Sequence, residues 1–312
     1  MRVSVVVPAH ESASTLGRTL SALTAQELTE PYEVIVVDDG STDGGAEIAE
    51  RAGPLVRVIR QPRAGAAEAR NRGAREARGQ ILAFTDGDCF PAPGWLAAGL
   101  LAMERADLVQ GAVRPPPEVR LTPFDRTLIV VGESGLYESA NLFVSRELFE
   151  RVGGFRAPVA AKADRPLGED VAFAWRARRA GAATAFAPGA VVYHAVFPRR
   201  PREYVAERRR LGHFAAITAE VPELRRHFMF GRLFLSRRTA AFDAALAGLA
   251  AAVVLGSPLP ALAALPYLAE SAADAWRWRT HAPEVMLVGI LADAVGLASL
   301  AAGSVRSRTL VL

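Results

Sequence analysis

Cysteine is nearly absent. Cys89 is the single one in 312 residues, which excludes an intrachain disulfide and any zinc cluster built on several thiolates, and fits a reducing compartment. Lysine is as scarce, Lys162 being the only one, so arginine carries the positive charge and the formal net charge is a modest +4. No nucleic-acid partner is expected. The start of the chain lacks a secretory leader: Met1-Arg2 runs directly into Val3-Ser4-Val5-Val6-Val7-Pro8, too short for the apolar region of a signal peptide. The N-terminal portion is therefore expected to stay cytoplasmic. No G-x-G-x-x-G follows Val7, which disfavours a dinucleotide-binding domain. What the chain has in plenty is apolar residues, 51% of the total, with a mean hydropathy of +0.16. That balance points to membrane contact somewhere in the chain.

The first hundred residues alternate between two periods. Val3 to Val7 is almost wholly β-branched, as a strand buried on both faces is. Leu16, Leu20 and Leu23 then recur at helical spacing, with Ser12 or Ser14 as N-cap. Strands at 32–37, 56–59 and 81–84, helices at 45–52 and 66–77, a helix at 95–104 and a strand at 108–113 continue the pattern. Strand–helix alternation predicts an α/β fold with a mostly parallel central sheet, whose reactive edge lies at the strand C-termini. Beyond 133 a strand at 139–144, a short helix at 146–152, a helix at 171–179 and a strand at 190–194 are expected. A loop over 156–167 is read as mobile and near the site, and 201–220 as a basic helical region.

The stretch Ile81-Leu82-Ala83-Phe84-Thr85-Asp86-Gly87-Asp88 carries the chemistry. A buried strand delivers two carboxylates to its C-terminal end, and Gly87 leaves both unobstructed, so Asp86 and Asp88 offer hard oxygen ligands to a phosphate-bearing divalent cation. An ordinary Asp-Gly turn would read the same way.

Four stretches together resemble the inverting nucleotide-sugar glycosyltransferases of family 2, which have the GT-A fold. They are Pro8-Ala9-His10-Glu11 after the first strand, Val36-Val37-Asp38-Asp39-Gly40-Ser41-Thr42-Asp43, Thr85-Asp86-Gly87-Asp88, and Gly168-Glu169-Asp170 with Trp175-Arg176. Each motif alone is weak; the ordered set over residues 1–215 is specific. The resemblance implies that Pro8, Ala9, Glu11, Asp38 and Asp39 line the nucleotide pocket, although the family usually has Asn where Glu11 stands. It places Arg70 near base and phosphates, makes Asp86, Gly87 and Asp88 the diphosphate and metal motif for Mg²⁺ or Mn²⁺, and sets His194 close to the ion. It makes Asp170 the general base, with Glu169 orienting the acceptor. Local alternatives stand beside these roles: an Asx-turn for Asp38 or Asp39, a helix-cap pair for Glu169 and Asp170, and a structural role for His194.

Glu207-Arg208-Arg209-Arg210-Leu211 occupies the place where processive polysaccharide synthases carry Q-x-x-R-W. Without the Trp platform, transfer of a single sugar is expected. A domain of residues 1–220 is then followed by a hydrophobic helical region, 221–312. Residues 240–268 and 283–305 are each long and apolar enough for one transmembrane helix, with flanking arginines that suit cytoplasmic ends. An interfacial hairpin or a soluble helix pair are the alternatives. The expected protein is a metal-dependent glycosyltransferase at the cytoplasmic face of the cell membrane. It takes a nucleotide-diphosphate sugar donor and an unidentified acceptor, with a lipid-linked one suggested by the tail. A sugar-phosphate nucleotidyltransferase and a degenerate membrane scaffold are the competing readings.

Overall fold

A computed structural model describes residues 1–156 and 167–312. The expected loop over 156–167 falls almost wholly outside the described residues. Two compact units divide the described chain: residues 1–120, 127–156 and 168–197 form one, and 121–126, 167 and 198–312 the other.

The first unit is built on one eight-stranded sheet. Its strands are β1 (Val3–Ala9), β2 (Tyr32–Asp39), β3 (Val56–Gln61), β4 (Ile81–Phe84), β5 (Cys89–Pro91), β6 (Leu108–Arg114), β7 (Leu142–Ser145) and β8 (Thr184–His194), in the order β3-β2-β1-β4-β7-β6-β8-β5. Between them run α1 (Ala13–Thr24), α2 (Gly45–Glu50), α3 (Ala66–Glu76), α4 (Trp95–Met103), α5 (Arg146–Arg151) and α6 (Glu169–Arg179). The β3-β2-β1-β4 half is parallel throughout, and β6 pairs parallel with β8. β7 runs antiparallel to both β4 and β6, and β5 antiparallel to β8.

Why these residues form this sheet is visible in their burial. Every residue of β2 and all but Pro8 of β1 are buried, which only an apolar, β-branched strand with both faces covered tolerates. Leu16, Leu20 and Leu23 of α1 are buried at helical spacing, as the pattern required. Helix α3 lies so close to the sheet that a Cβ on Gly73 would sit 2.4 Å from Val6 Cγ1, so only glycine allows that approach.

The structure corrects several sequence readings. Residues 139–144 are not one strand: Ser139–Asn141 is a 3-10 turn and the strand begins at Leu142. The buried Asn141 explains this. Its amide donates to the carbonyls of Ala112 and Ala190 at 2.8 Å each and accepts from Trp95 Nε1 at 2.8 Å, and satisfying a buried amide outweighs strand pairing. β8 begins at Thr184, earlier than expected, because β6 offers it a paired edge from Leu108 onward.

The second unit contains α7 (Pro201–Glu207), a 3-10 turn at Arg208–Gly212, α8 (His213–Glu220), α9 (Leu224–His227), α10 (Arg237–Leu255), α11 (Leu265–Trp276) and α12 (Ala282–Ser307). Residues 240–268 are not one helix. α10 ends at Gly256, which takes a left-handed φ of 59°, and Leu259–Ala264 returns as a 3-10 segment. Pro258 and Pro260 bar a continuous helix there.

Candidate active site

The C-terminal ends of β1, β2 and β4 carry most of the expected residues. Strand β4 ends at Phe84 and the chain turns through Asp86, Gly87 and Asp88. Helix α1 holds that turn: the Thr15 and Thr19 hydroxyls donate to the Gly87 carbonyl at 2.8 and 2.9 Å. A Cβ on Gly87 would come 3.0 Å from Ser12 Oγ, which ties the glycine to this packing.

Arg70 joins the acidic residues. Its side chain is 6% exposed, donates from Nη2 to Asp86 Oδ1 at 2.8 Å, and lies 3.4 Å through Nη1 from Glu169 Oε1. Burial alone would depress the guanidinium, but Asp86 and Glu169 outweigh it and raise its pKa. So α3, the β4 loop and the first turn of α6 meet at one arginine, and Asp170 is the next residue on that turn. Asp170 Oδ2 accepts from the Ser139 amide at 3.3 Å and Oδ1 from its neighbour Val171 at 2.9 Å. Burial, with the Glu169 charge second, pushes the Asp170 carboxyl up to about 7; Arg70 opposes the shift and Glu138 adds to it. A carboxylate that titrates near neutrality in a pocket is suited to accept a proton.

His194 comes to the same edge through strand pairing, since Cys89 of β5 stands opposite His194 of β8. Its Nδ1 lies 2.7 Å from the Ala195 carbonyl, and its Nε2 is 3.6 Å from Asp88 Oδ2. If Nδ1 carries the proton, Nε2 is left as a ligand atom. Donor atoms of Asp88, Cys89 and His194 all lie within 4.8 Å of one another. Burial, reinforced by Asp86 and Asp88, pushes the Cys89 thiol well above its usual range, so the thiol stays neutral. The remaining donors are carboxylate oxygens and one imidazole, which suit a hard divalent ion. Among the described residues the buried Ser12 Oγ and Arg70 Nε have no hydrogen-bond partner, as in a cradle built for a polar ligand. Asp88 and His194 could hold the ion; the carboxylate of Asp86, the other expected ligand, is taken up by Arg70 and does not belong to this group of donors.

The nucleotide-side residues divide differently. Asp39 is fully engaged: Oδ1 accepts from Gln61 Nε2 and the Ala64 amide, and Oδ2 from the Gly65 amide, at 2.7–2.8 Å. It anchors the loop that opens α3. Asp38 accepts from the Ser41 amide, three residues on, at 3.1 Å through Oδ1. Glu11, at a φ of 49°, accepts from the Thr42 amide at 2.8 Å and hydroxyl at 3.1 Å, tying the β1 loop to the β2 loop. Pro8 and Ala9 pair with Val37 and Asp38 at the sheet edge.

Two residues to which the sequence assigned no role belong here. Asp43 accepts from the amides of Ala13 and Gly45 at 2.7 and 3.0 Å, joining the starts of α1 and α2. Glu138 has a buried Oε2 without a hydrogen-bond partner among the described residues, and burial raises its pKa. It follows Tyr137, a buried residue held at a φ of 53°, and such strained backbone concentrates at functional sites. No sequence periodicity signals it.

Comparison with known proteins agrees with this geometry. The family described as Glycosyl transferase family 2 matches residues 4–157. Glycosyltransferase AglE of Haloferax volcanii is 34% identical over 214 residues, covering 64% of this chain and 67% of its own. Three further curated relatives are matched over only 28%, 26% and 26% of their own length. Among solved structures, the mannosyltransferase PcManGT from Pyrobaculum calidifontis, in complex with GDP-Man and Mn²⁺, superposes with a TM-score of 0.63 at 26% identity. That match covers 95% of this chain and 87% of the other. S. aureus TarS in complex with UDP shares the fold, with a TM-score of 0.53 at 18% identity over 99% and 92% of the two chains. With a mixed sheet of GT-A type, acidic residues gathered at its strand ends and these relatives, the chain belongs to glycosyltransferase family 2 and is a glycosyltransferase.

Proposed function

We propose that the protein transfers one sugar from a nucleotide-diphosphate donor to an acceptor hydroxyl or phosphate with inversion, using Mg²⁺ or Mn²⁺. The observation that carries this reading is the chain of contacts from Asp86 through Arg70 to Glu169, with Asp170 beside it. It links the expected diphosphate motif to the expected base.

In this reading the acceptor oxygen attacks the anomeric carbon from the face opposite the leaving group. The new C–O bond forms as the bond to the diphosphate oxygen breaks, Asp170 takes the acceptor proton, and the nucleoside diphosphate departs. No covalent enzyme intermediate is needed. Glu169 orients the acceptor and keeps the Asp170 pKa high, while Arg70 sets a fixed positive charge where the diphosphate charge develops. Pro8, Ala9, Glu11 and Asp38 frame the nucleoside, and Asp39 holds the loop that opens α3 beside it. Asp88 and His194 would hold the divalent ion, with Gly87 leaving room for diphosphate, and when bound that ion neutralises charge on the leaving group.

We assign catalysis to residues 1–220 and membrane attachment to 221–312, with the catalytic part on the cytoplasmic side and a lipid-linked acceptor. Two helices, Arg237–Leu255 and Arg279–Ser307, are long and apolar enough to cross a membrane. The test is thermal stabilisation by a panel of nucleoside diphosphates with and without Mn²⁺, because a ligand specific for the folded state raises its stability by mass action. One nucleotide is expected to stabilise the protein only when the ion is present. Metal-independent stabilisation, or none by any nucleotide, would overturn the proposal.

A further inference from the structure

We propose that residues 237–276 form a hairpin that enters a single leaflet of the bilayer and leaves by the same side, and that neither α10 nor α12 crosses the membrane. This rests on the membrane reading above and decides how the attachment is made.

The far end of the hairpin cannot be content in water. Val253, Val254 and Leu259 are 84%, 83% and 71% exposed, and Leu246, Leu249, Leu255, Leu262 and Leu265 are exposed around them. An apolar surface this continuous marks an interaction site. No charged residue occurs between Asp243 and Glu270, so no side-chain charge along this stretch resists burial in hydrocarbon.

The turn at the tip sends the chain back. Gly256 caps α10 in the left-handed region, and the Leu259–Ala264 segment folds against the helix it has just left. A Cβ on Gly248 would sit 2.4 Å from the Pro260 carbonyl oxygen. The return continues through Tyr267, whose ring packs edge-on to Phe242 at 5.0 Å, to Asp274, 3.3 Å from Arg238. Both ends of the hairpin are thus at the level of the first turn of α10.

The charge-free length of α10 then favours one leaflet over a crossing. The charge-free arm of α10, residues 244–255, rises about 18 Å at 1.5 Å per residue, whereas the hydrocarbon core is about 30 Å thick. The arm matches about one leaflet.

Helix α12 is tied to the base of the hairpin at its midpoint. Asp293 accepts from Tyr267 at 2.8 Å and pairs with Arg238 at 2.8 Å. Its C-terminal half packs on protein, since a Cβ on Gly303 would fall 2.0 Å from the Gly212 carbonyl oxygen, and Leu300, Gly303 and Ser304 are buried. The segment it packs on, Arg208–Gly212, carries three arginines and has no place in lipid. The level of the headgroups is marked from two directions. Arg226, Arg232 and Arg237 are exposed before and at the start of α10, and the exposed Trp276 with Arg277, Trp278 and Arg279 ends the return. Tryptophan and arginine gather at that depth in membrane proteins.

The experiment uses the full chain with Ser257→Cys at the tip or Thr280→Cys at the base. Wild type serves as blank because Cys89 is buried. Protein is added to preformed phosphatidylcholine–phosphatidylglycerol vesicles, and a membrane-impermeant maleimide is supplied outside or trapped inside. The tip thiol is expected to react roughly tenfold more slowly with vesicles than without, from either side, while the base thiol reacts from outside as it does in solution. Tip labelling from inside the vesicles means that the chain crosses, which sinks the one-leaflet reading but leaves membrane attachment intact. Tip labelling from outside at the solution rate sinks both. Equal protection without vesicles means that a second copy covers the tip, and the proposal is wrong.

Discussion

Replacing Asp170 by asparagine should make the protein inactive and, at alkaline pH, more stable. The wild-type carboxyl ionises near 3.8 when the chain is unfolded and near 7 in the folded pocket. Between those values the folded state retains a proton that the unfolded state has released, so stability falls as pH rises from about 4 to about 7. At about 1.4 kcal/mol per pH unit the full interval sets a ceiling of about 4 kcal/mol, and the part lying between pH 5 and pH 7 amounts to about 2–3 kcal/mol. The side chain keeps some solvent contact, which halves that part to about 1–2 kcal/mol. Asparagine carries no charge and escapes this penalty. It also loses one acceptor oxygen, at the Ser139 or the Val171 amide, a pH-independent cost of about 1 kcal/mol. Urea denaturation of both proteins at pH 5 and pH 8 reads the difference. The variant should gain about 1–2 kcal/mol on wild type between the two values, while transfer falls by about 10²–10⁴-fold, as for a lost general base. A stability difference that does not change with pH would refute the claim that burial holds this carboxyl neutral, and full turnover in the variant would remove Asp170 from the mechanism.

Other outcomes follow from the same site. The kcat/KM of wild type should rise with pH through about 7, because the base acts deprotonated, and Glu138→Gln should move that limb to lower pH by removing a charge that raises Asp170; an unmoved limb would disconnect Glu138 from the base. Asp86→Ala with Asp88→Ala should abolish the Mn²⁺-dependent part of nucleotide stabilisation in thermal melts without lowering the melting temperature of the ligand-free protein by more than a few degrees. Arg70→Ala should destabilise by about 3–5 kcal/mol in denaturant titrations, since it strands Asp86 and Glu169 without their cation; a loss under about 1 kcal/mol would show that the two carboxylates are solvated in its absence. Asn141→Ala should cost about 2–4 kcal/mol on the same assay, by leaving two carbonyls and the Trp95 indole N–H unpaired in the core.

What one strand or helix decides for itself could be read directly along the chain. Val3 to Val7, residues 32–37 and Ile81 to Phe84 are apolar and branched enough to be central strands whatever lies beside them, and Leu16, Leu20 and Leu23 make a helix face by spacing alone. The four motifs likewise lie on strand ends and helix starts, so their positions follow from local pattern. What depends on a partner could not be read. β5 is three residues, Cys-Phe-Pro, and exists because β8 pairs with it; that pairing, and no feature of the local sequence, sets His194 beside Asp88. The turn at Ser139–Asn141 follows from carbonyls supplied by Ala112 and Ala190, distant in the chain. Asp39 looks like a ligand-binding residue in the motif, yet Gln61, Ala64 and Gly65 take up both its oxygens. In the apolar tail, hydropathy alone described two helices of spanning length. Only the fold-back at Gly256 and the Arg238–Asp293 ion pair show where those helices begin and end relative to one another. Side-chain chemistry and periodicity are local and survive in the sequence, while pairing, burial and the sharing of a charge belong to residues that meet only after the chain has folded.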